Sequence, residues 1–260
     1  MDGKELITQI QEEVKRQQEI GGLWEGYCNL QKLASGDIWE SSTRYIYELL
    51  QNAEDAKARE FKVYISRKRI KIIHDGDPFT QDDVRNVCYA VSKKDPNETI
   101  GYLGVGFRSV FTVTDKPEIY SGEYMFCFDR ERCLREFGDD SHFYFYPYPI
   151  EQPTEEIDLE KTTFILSFKS EEFFDRSITQ LEKLGAHSLL FLRNIRKISI
   201  HDEESNTTRI CNITCIEDFK PINGNTKVGK FLLVEGDTAM RFLVFRGTCL
   251  LYTSPSPRDR

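Results

Sequence analysis

One short stretch constrains this chain more than any other: Tyr45 to Ala56, reading Tyr-Ile-Tyr-Glu-Leu-Leu-Gln-Asn-Ala-Glu-Asp-Ala. Wound as a helix at about 100° per residue, it places Glu48, Asn52 and Asp55 at i, i+4 and i+7 on one narrow stripe. Tyr45, Leu49, Ala53 and Ala56 form an adjacent apolar stripe. A carboxylate and an amide then sit at the margin of a buried face. Burying such groups unpaired costs roughly 2–7 kcal/mol each when neutral and more when charged, so they need partners. A hydrated divalent metal and an attacking water are partners of the right chemistry. Mg2+ prefers oxygen ligands and keeps several waters, so an Asn carbonyl oxygen suits it as a lone protein ligand. Glu48, one turn earlier, is placed to orient or deprotonate a water. Taken alone, the same stripe also describes an ordinary amphipathic helix with solvated acids, and the rest of the chain decides between the two.

The 260 residues are 39% hydrophobic and 30% charged, enough for one sizeable core or for one domain and part of a second. A net charge of -8 argues against a main role on nucleic-acid phosphate, which leaves nucleic acid only as an indirect partner. Seven cysteines are scattered without a framework spacing, and the start carries no signal-like segment, which points to a reducing, intracellular, cytoplasmic setting. Cys211 and Cys215 make a lone C-x-x-x-C with no second pair, a poor zinc set. No apolar run approaches the ~18 residues that span a bilayer, so no membrane partner is expected.

Along the chain, Leu6, Ile7, Ile10 and Val14 space a surface helix over Lys4 to Glu19, and a second helical stretch is expected from Leu23 to Leu33. Ser41, Ser42 and Thr43 offer N-caps to the organising helix. Phe61, Val63 and Ile65, then Ile70 and Ile72, alternate on either side of a basic turn, the pattern of a β-hairpin. The hairpin runs into His74-Asp75-Gly76-Asp77-Pro78-Phe79, where Gly and Pro force the chain out of the sheet. Thr80 caps a helix from Gln81 to Ala90, and Ser92 to Thr99 is polar enough for a mobile lid.

Gly101, Gly104 and Gly106 then allow backbone amides to approach phosphate oxygens, with a helix expected to begin over Phe107 to Phe111. The register is neither a Walker loop nor the dinucleotide fingerprint. Strands are expected at Glu118 to Tyr120, Tyr124 to Phe128, the aromatic run Phe143 to Tyr148, and Lys161 to Phe168. A helix over Phe173 to Leu184 follows, and then hairpins built on Ile198-Ile200 with Ile210 to Cys215 and on Phe231 to Val234 with Phe242 to Phe245.

The order of these pieces, Glu48-x-x-x-Asn52-x-x-Asp55, a hairpin ending in His-Asp-Gly, a lid, Gly-x-x-Gly-x-Gly and a Thr-led strand, resembles the GHKL superfamily of gyrase, heat shock protein 90, histidine kinases and MutL. The resemblance covers roughly Ser41 to Phe168, and its wording is most similar to the sacsin and NO VEIN type of ATPase domain. It implies an α+β, two-layer α/β sandwich (the Bergerat ATP-binding fold), with helices on one face of a mixed, mainly antiparallel sheet.

The resemblance also implies ATP and Mg2+ as cofactors, with Glu48 as general base, Asn52 as the metal ligand and Asp55 supporting the nucleotide side. Gly101, Gly104 and Gly106, with amides from Val105 to Phe107, would hold the phosphates, Lys93 would reach them from the lid, and Thr162 would line the adenine pocket. The family's adenine-reading Asp aligns with His74, one residue before Asp75, and Pro78 stands for the glycine that should follow Gly76. Strand alternation points Asp75 away from His74, so Asp75 substitutes only if the turn rotates the backbone.

A glutamate base favours hydrolysis over phosphotransfer, and no phosphoacceptor helix surrounds any of the four histidines. The expected unit is a heat shock protein 90-like or sacsin-like ATPase coupling nucleotide state to conformation in a larger protein, dimerising as ATP closes the lid. The alternative is a non-hydrolysing nucleotide-binding or degenerate interaction scaffold. The expected organisation is an N-terminal lead-in over residues 1–40, the ATP-binding domain over 41–170 and a helix and β extension over 171–247. Cys249 to Asp259 back-translates to a sequencing-library adapter and is expected to be foreign. Family hydrolases commonly take a catalytic Lys or Arg from a following domain, so slow turnover is expected of this chain.

Overall fold

The computed structural model describes residues 2–19, 44–89, 106–223 and 226–247. Several expectations fall outside them: the Ser41 to Thr43 caps, the helix over Leu23 to Leu33, the lid with Lys93, then Gly101, Gly104 and Val105, and the tail beyond Gly247.

Within the described residues, helix α1 (Gly3–Glu19) buries Leu6, Ile7, Ile10 and Val14, the stripe its spacing predicted. Helix α2 (Arg44–Asp55) buries Tyr45, Ile46, Leu49, Leu50 and Ala53. The first hairpin pairs β1 (Glu60–Ile65) with β2 (Arg69–His74), each burying every second side chain. Helix α3 (Gln81–Tyr89) starts on a reciprocal cap, in which Asp83 N donates to Thr80 Oγ1 at 3.2 Å and Thr80 N to Asp83 Oδ2 at 2.9 Å. A 3-10 turn (Gly106–Ser109) leads into the single-turn α4 (Val110–Val113), where sequence spacing predicted a helix starting at Phe107.

Strands β3 (Pro117–Ser121) and β4 (Tyr124–Cys127) turn at Gly122, whose φ of 58° explains the glycine. Helix α5 (Arg130–Phe137) has Asp129 as N-cap and Gly138 as left-handed C-cap, signals the sequence reading passed over. The expected strand Phe143 to Tyr148 shrinks to β5 (Tyr148–Pro149). Phe145 N and Tyr146 N both donate to His142 O, closing turns that send consecutive rings inward, which a strand cannot do. Phe143 packs on Phe111 at 4.9 Å and Tyr146 on Phe137 at 5.0 Å between ring centroids.

Strand β6 (Thr162–Ser167), helix α6 (Glu171–Lys183), a 3-10 turn (Ala186–Phe191) and strands β7 (Lys197–Asp202), β8 (Thr207–Asn223), β9 (Thr226–Glu235) and β10 (Thr238–Gly247) complete the chain. All strands join one sheet of ten, in the order β10-β9-β8-β7-β1-β2-β6-β3-β4-β5. Its one parallel pair is β1 with β7. The fold is therefore α+β, an open, mixed and mostly antiparallel sheet with helices, consistent with a two-layer α/β sandwich. Residues 197–247 extend the sheet that carries the first hairpin. No described helix is long and apolar enough to cross a membrane.

Candidate functional site

Helix α2 is fixed by its apolar stripe, and that fixes the polar one. Tyr45 is fully buried, with its hydroxyl 2.7 Å from Ser177 Oγ on α6, and burial raises its pKa. The Glu48 side chain is only 12% exposed. Its Oε1 accepts from Arg44 Nε at 2.7 Å. Its other oxygen faces the 3-10 turn so closely that a Cβ on Gly106 would fall 2.0 Å from Oε2 and 2.8 Å from Cδ. Asn52 and Asp55, both half-buried, follow on the same stripe. Among the described residues the Asn52 side chain makes no hydrogen bond, leaving its amide free to take a ligand.

The turn leaving β2 sits on the other end of α2. Asp77 N donates to Ala56 O at 2.7 Å, and a Cβ on Gly76 would meet that same carbonyl oxygen at 2.5 Å. Only glycine allows this approach. Gly76 and Gly106 thus approach one helix at the carbonyl just past its C-terminus and at the Glu48 side chain, although they lie on separate segments.

His74 and Asp75 diverge as strand alternation requires. His74 is buried against Phe164, and loss of solvent lowers its pKa to about 4, so the ring is neutral at pH 7. Its Nδ1 accepts from Gly76 N at 3.2 Å, which leaves Nε2 carrying the proton. Asp75 is exposed, and its Oδ1 accepts from Arg59 N and Glu60 N, both at 2.8 Å. The carboxylate therefore closes the start of β1. Thr162 pairs across the strands with His74, is fully buried, and lies 2.6 Å from Ser121 Oγ, which accepts from Phe79 N at 2.8 Å.

Phe107 is buried among Phe111, Phe128 and Phe164, so its ring is core and only its backbone is available to a ligand. The structure thus brings Glu48 to Gly106, Ala56 to Gly76, and His74 to Thr162. Asp75 is turned to a structural bond.

Two further residues hold this arrangement, and the sequence reading missed both. Glu54, 2% exposed, accepts on Oε1 from Arg193 N at 2.7 Å and Asn194 N at 2.8 Å, and on Oε2 from Ile195 N at 3.0 Å. Asn194 Nδ2 adds a bond to Oε1 at 3.1 Å. Glu54 lies on the buried side of α2, and its place beside Ala53 was the available signal. Arg108 is also buried, donating from Nη2 to Cys88 O at 2.7 Å with its guanidinium over Phe111 and Phe145. It ties α3 to the 3-10 turn. The Cys88 thiol beside it is pushed up to about 12 by burial and is not a nucleophile. Among the described residues no cluster of His, Cys, Asp and Glu has the form of a metal cage.

The fold is an α+β domain in which an acid-and-amide helix is met by two glycine turns, at Glu48 and at Ala56. Residues 72–144 match the family model described as the Sacsin domain, a window that holds the His74 turn and Gly106 but begins after α2. The chain is 32% identical to Protein NO VEIN of Arabidopsis thaliana over 102 residues, 36% of this chain and 4% of that protein. It is 26% identical to Sacsin of Homo sapiens over 221 residues, 66% of this chain and 5% of that protein. These similarities support a sacsin-like family, and the chain spans about a twentieth of the length of either relative.

Proposed function

We propose that this chain is an ATP-binding domain of the GHKL type that hydrolyses ATP slowly with Mg2+ and couples nucleotide state to conformation in a longer, sacsin-like protein. The observation that carries the reading is the convergence on α2, where Gly106 abuts the Glu48 carboxylate and Gly76 abuts the Ala56 carbonyl. Four motifs, each weak alone, are expected in that order for this superfamily. The turn at Gly76 and the turn at Gly106 both meet the α2 motif, and Thr162 pairs with His74 beside them, which supports a shared site, as do the similarities to the sacsin-like relatives.

The residues fit the implied metal and nucleotide. The Asn52 amide is half-buried and unbonded among the described residues, and glycine at 76 and 106 lets two turns pack directly against the Ala56 carbonyl and the Glu48 carboxylate. Asn52 would hold Mg2+, which would neutralise phosphate charge when bound. Glu48, already shielded from solvent, would take the proton of the attacking water as that oxygen bonds to the γ-phosphorus and ADP departs. Asp55 would support the nucleotide side, and the backbone of Gly106 and Phe107, continuing Gly101, Gly104 and Val105, would cradle the phosphates with Lys93. Thr162 would line the base pocket. Closure on ATP and pairing of two copies belong to the same proposal.

Calorimetric titration of the 260-residue chain with ATP and ADP, with and without Mg2+, tests it. The expected result is Mg2+-enhanced binding that Asn52→Ala weakens, and turnover that Glu48→Ala abolishes while binding persists. A folded chain that binds neither nucleotide would overturn the reading.

A second reading, a binding scaffold that does not hydrolyse, is favoured by one observation. The family pattern has an Asp accepting the adenine amine, whereas here the neutral His74 ring has its acceptor nitrogen occupied and Asp75 is committed to Arg59 and Glu60. Binding of ATP without turnover in the parent chain would establish that reading.

A further inference from the structure

The loop that Glu54 holds carries an unusual surface. Phe191 ends the 3-10 turn before β7 and is 82% exposed, more than any other large apolar residue among those described. Two residues on, Arg193 is exposed. Arg196 donates from Nη2 to Arg193 O at 2.7 Å, and Arg59 donates from Nη1 to Asn194 O at 3.2 Å, so the three arginines are immediate neighbours. Among the described residues none of the three lies within salt-bridge range of a carboxylate.

The nearby acids are committed elsewhere. Glu54 bonds the loop backbone, and Asp75 bonds the backbone of Arg59 and Glu60. Glu60 pairs with Lys62 at 2.9 Å and Lys197 at 3.0 Å, and Asp77 pairs with Lys57 at 3.4 Å. A chain of net charge -8 therefore carries, on this loop and at the start of β1 beside it, three arginines with no carboxylate partner among the described residues, one of them two positions from an exposed aromatic ring.

Arginine and aromatic side chains are the residues that anchor protein interfaces, and an exposed aromatic has no folding reason to stay in water. The loop is also preformed. The backbone N–H groups of Arg193, Asn194 and Ile195 are all bonded to one buried carboxylate, which lowers the ordering cost of binding there.

We propose that Phe191, Arg59, Arg193 and Arg196 form a docking site for an acidic segment of a partner protein, its carboxylates on the guanidiniums and an apolar side chain on the Phe191 ring. Guanidinium pairs with carboxylate in a forked geometry that lysine cannot match, and Arg59 and Arg196, which each donate one N–H to the loop backbone, keep further N–H groups for such a pair. Single-stranded nucleic acid also uses arginine and aromatic rings. It is disfavoured here because one ring offers no run of stacking platforms. The site is independent of the nucleotide reading.

Fluorescence anisotropy of the full chain tests it, with three labelled probes: a short peptide alternating Glu and Leu, the same peptide with Lys for Glu, and oligo-dT. Binding of the Glu peptide alone is expected, weakened about tenfold or more by Phe191→Ser and by Arg193→Glu, both exposed positions whose variants keep the parent circular dichroism. Three results each overturn the proposal: no Glu-peptide binding at about 1 mM, the weakest affinity worth the name; binding indifferent to both substitutions or shared by the Lys peptide; or tighter binding of oligo-dT, which would assign the site to nucleic acid.

Discussion

Strands β7, β1, β2 and β6 come from distant parts of the chain, so that Lys197 and Glu60 pair across 137 residues, whereas β8, β9 and β10 simply follow one another as hairpins. The first group buries the polar side chains of His74, Thr162, Thr163 and Ser199, and the loop into β7 is held by the buried Glu54 of α2. The second leaves apolar ones in water, Ile216, Ile222, Leu243 and Phe245 among them. Buried polar groups are expensive unless satisfied, so the first group tolerates little substitution, while the ribbon should tolerate much. Two residues of the candidate site, His74 and Thr162, lie in the demanding half of the sheet.

Removing the Glu54 carboxylate should break the site half most severely. Glu54→Ala leaves the N–H groups of Arg193, Asn194 and Ile195 without their acceptor, and unmet buried donors cost about 1–3 kcal/mol each. A loss of about 3 kcal/mol or more is expected in urea denaturation followed by circular dichroism. A loss under about 1 kcal/mol would mean that the loop is not held by α2, and the contrast between the halves would weaken.

His74 sharpens the same contrast through pH. Its folded pKa lies near 4 against 6.5 when exposed, because burial disfavours the charged ring. Above pH 6.5 both states are neutral and the residue adds no pH dependence. Below it the unfolded chain binds a proton that the folded chain refuses until about pH 4, so stability falls across that window by about 3 kcal/mol in all. His142, also lowered by burial, acts in the same direction. Melting temperatures at pH 7 and pH 5 should therefore differ more for the parent chain than for His74→Asn. An equal drop would place the ring in solvent.

The two glycines are a finer test, because their neighbours differ in kind. At Gly76 the obstacle is backbone, the Ala56 carbonyl, which cannot swing away, so Gly76→Ala should cost about 1–3 kcal/mol of stability. At Gly106 the obstacle is the end of the Glu48 side chain, which can rotate. Gly106→Ala should keep the melting temperature within a few degrees while displacing the Glu48 carboxylate. If the proposed function holds, turnover then falls with little change in stability. Equal destabilisation by both would show that Glu48 is fixed as rigidly as the backbone.

Period and turn chemistry made much of the fold legible. The stripe of α2, the alternation of β1 and β2, the Thr80 cap, β6 and both C-terminal hairpins follow from side chains at fixed spacing. Where the chain turns within an aromatic run, spacing misled, since Phe143 to Tyr146 has the composition of a strand and the hydrogen bonds of a turn. Of the candidate site, the residues that meet on α2, at Gly76 and at Gly106 were those that residue type and order had singled out. Glu54 and Arg108 were not, because a buried charge is recognised by the partners that satisfy it, and those lie at Arg193 to Ile195 and at Cys88, which no local pattern connects to them. The direction of Asp75 was legible from alternation, whereas its bonds to Arg59 and Glu60 needed the register of β1 against β2.

The smallest effect is expected in the ribbon, and it is the one that the comparison most needs. Leu243 and Phe245 are 58% and 62% exposed on β10, the strand at one end of the sheet order. Replacing both with Thr exchanges apolar surface already in water for a β-branched residue of good strand propensity, so stability should shift by no more than about 0.5 kcal/mol. Edge strands with exposed apolar side chains template association, so the same double variant should lower the protein's tendency to self-associate in sedimentation at high concentration. Nucleotide titration should not change, because none of the described candidate residues lies on β10. A large loss of stability would instead show that the ribbon is packed as tightly as the β7-β1-β2-β6 half, and that non-local assembly is not what separates the two.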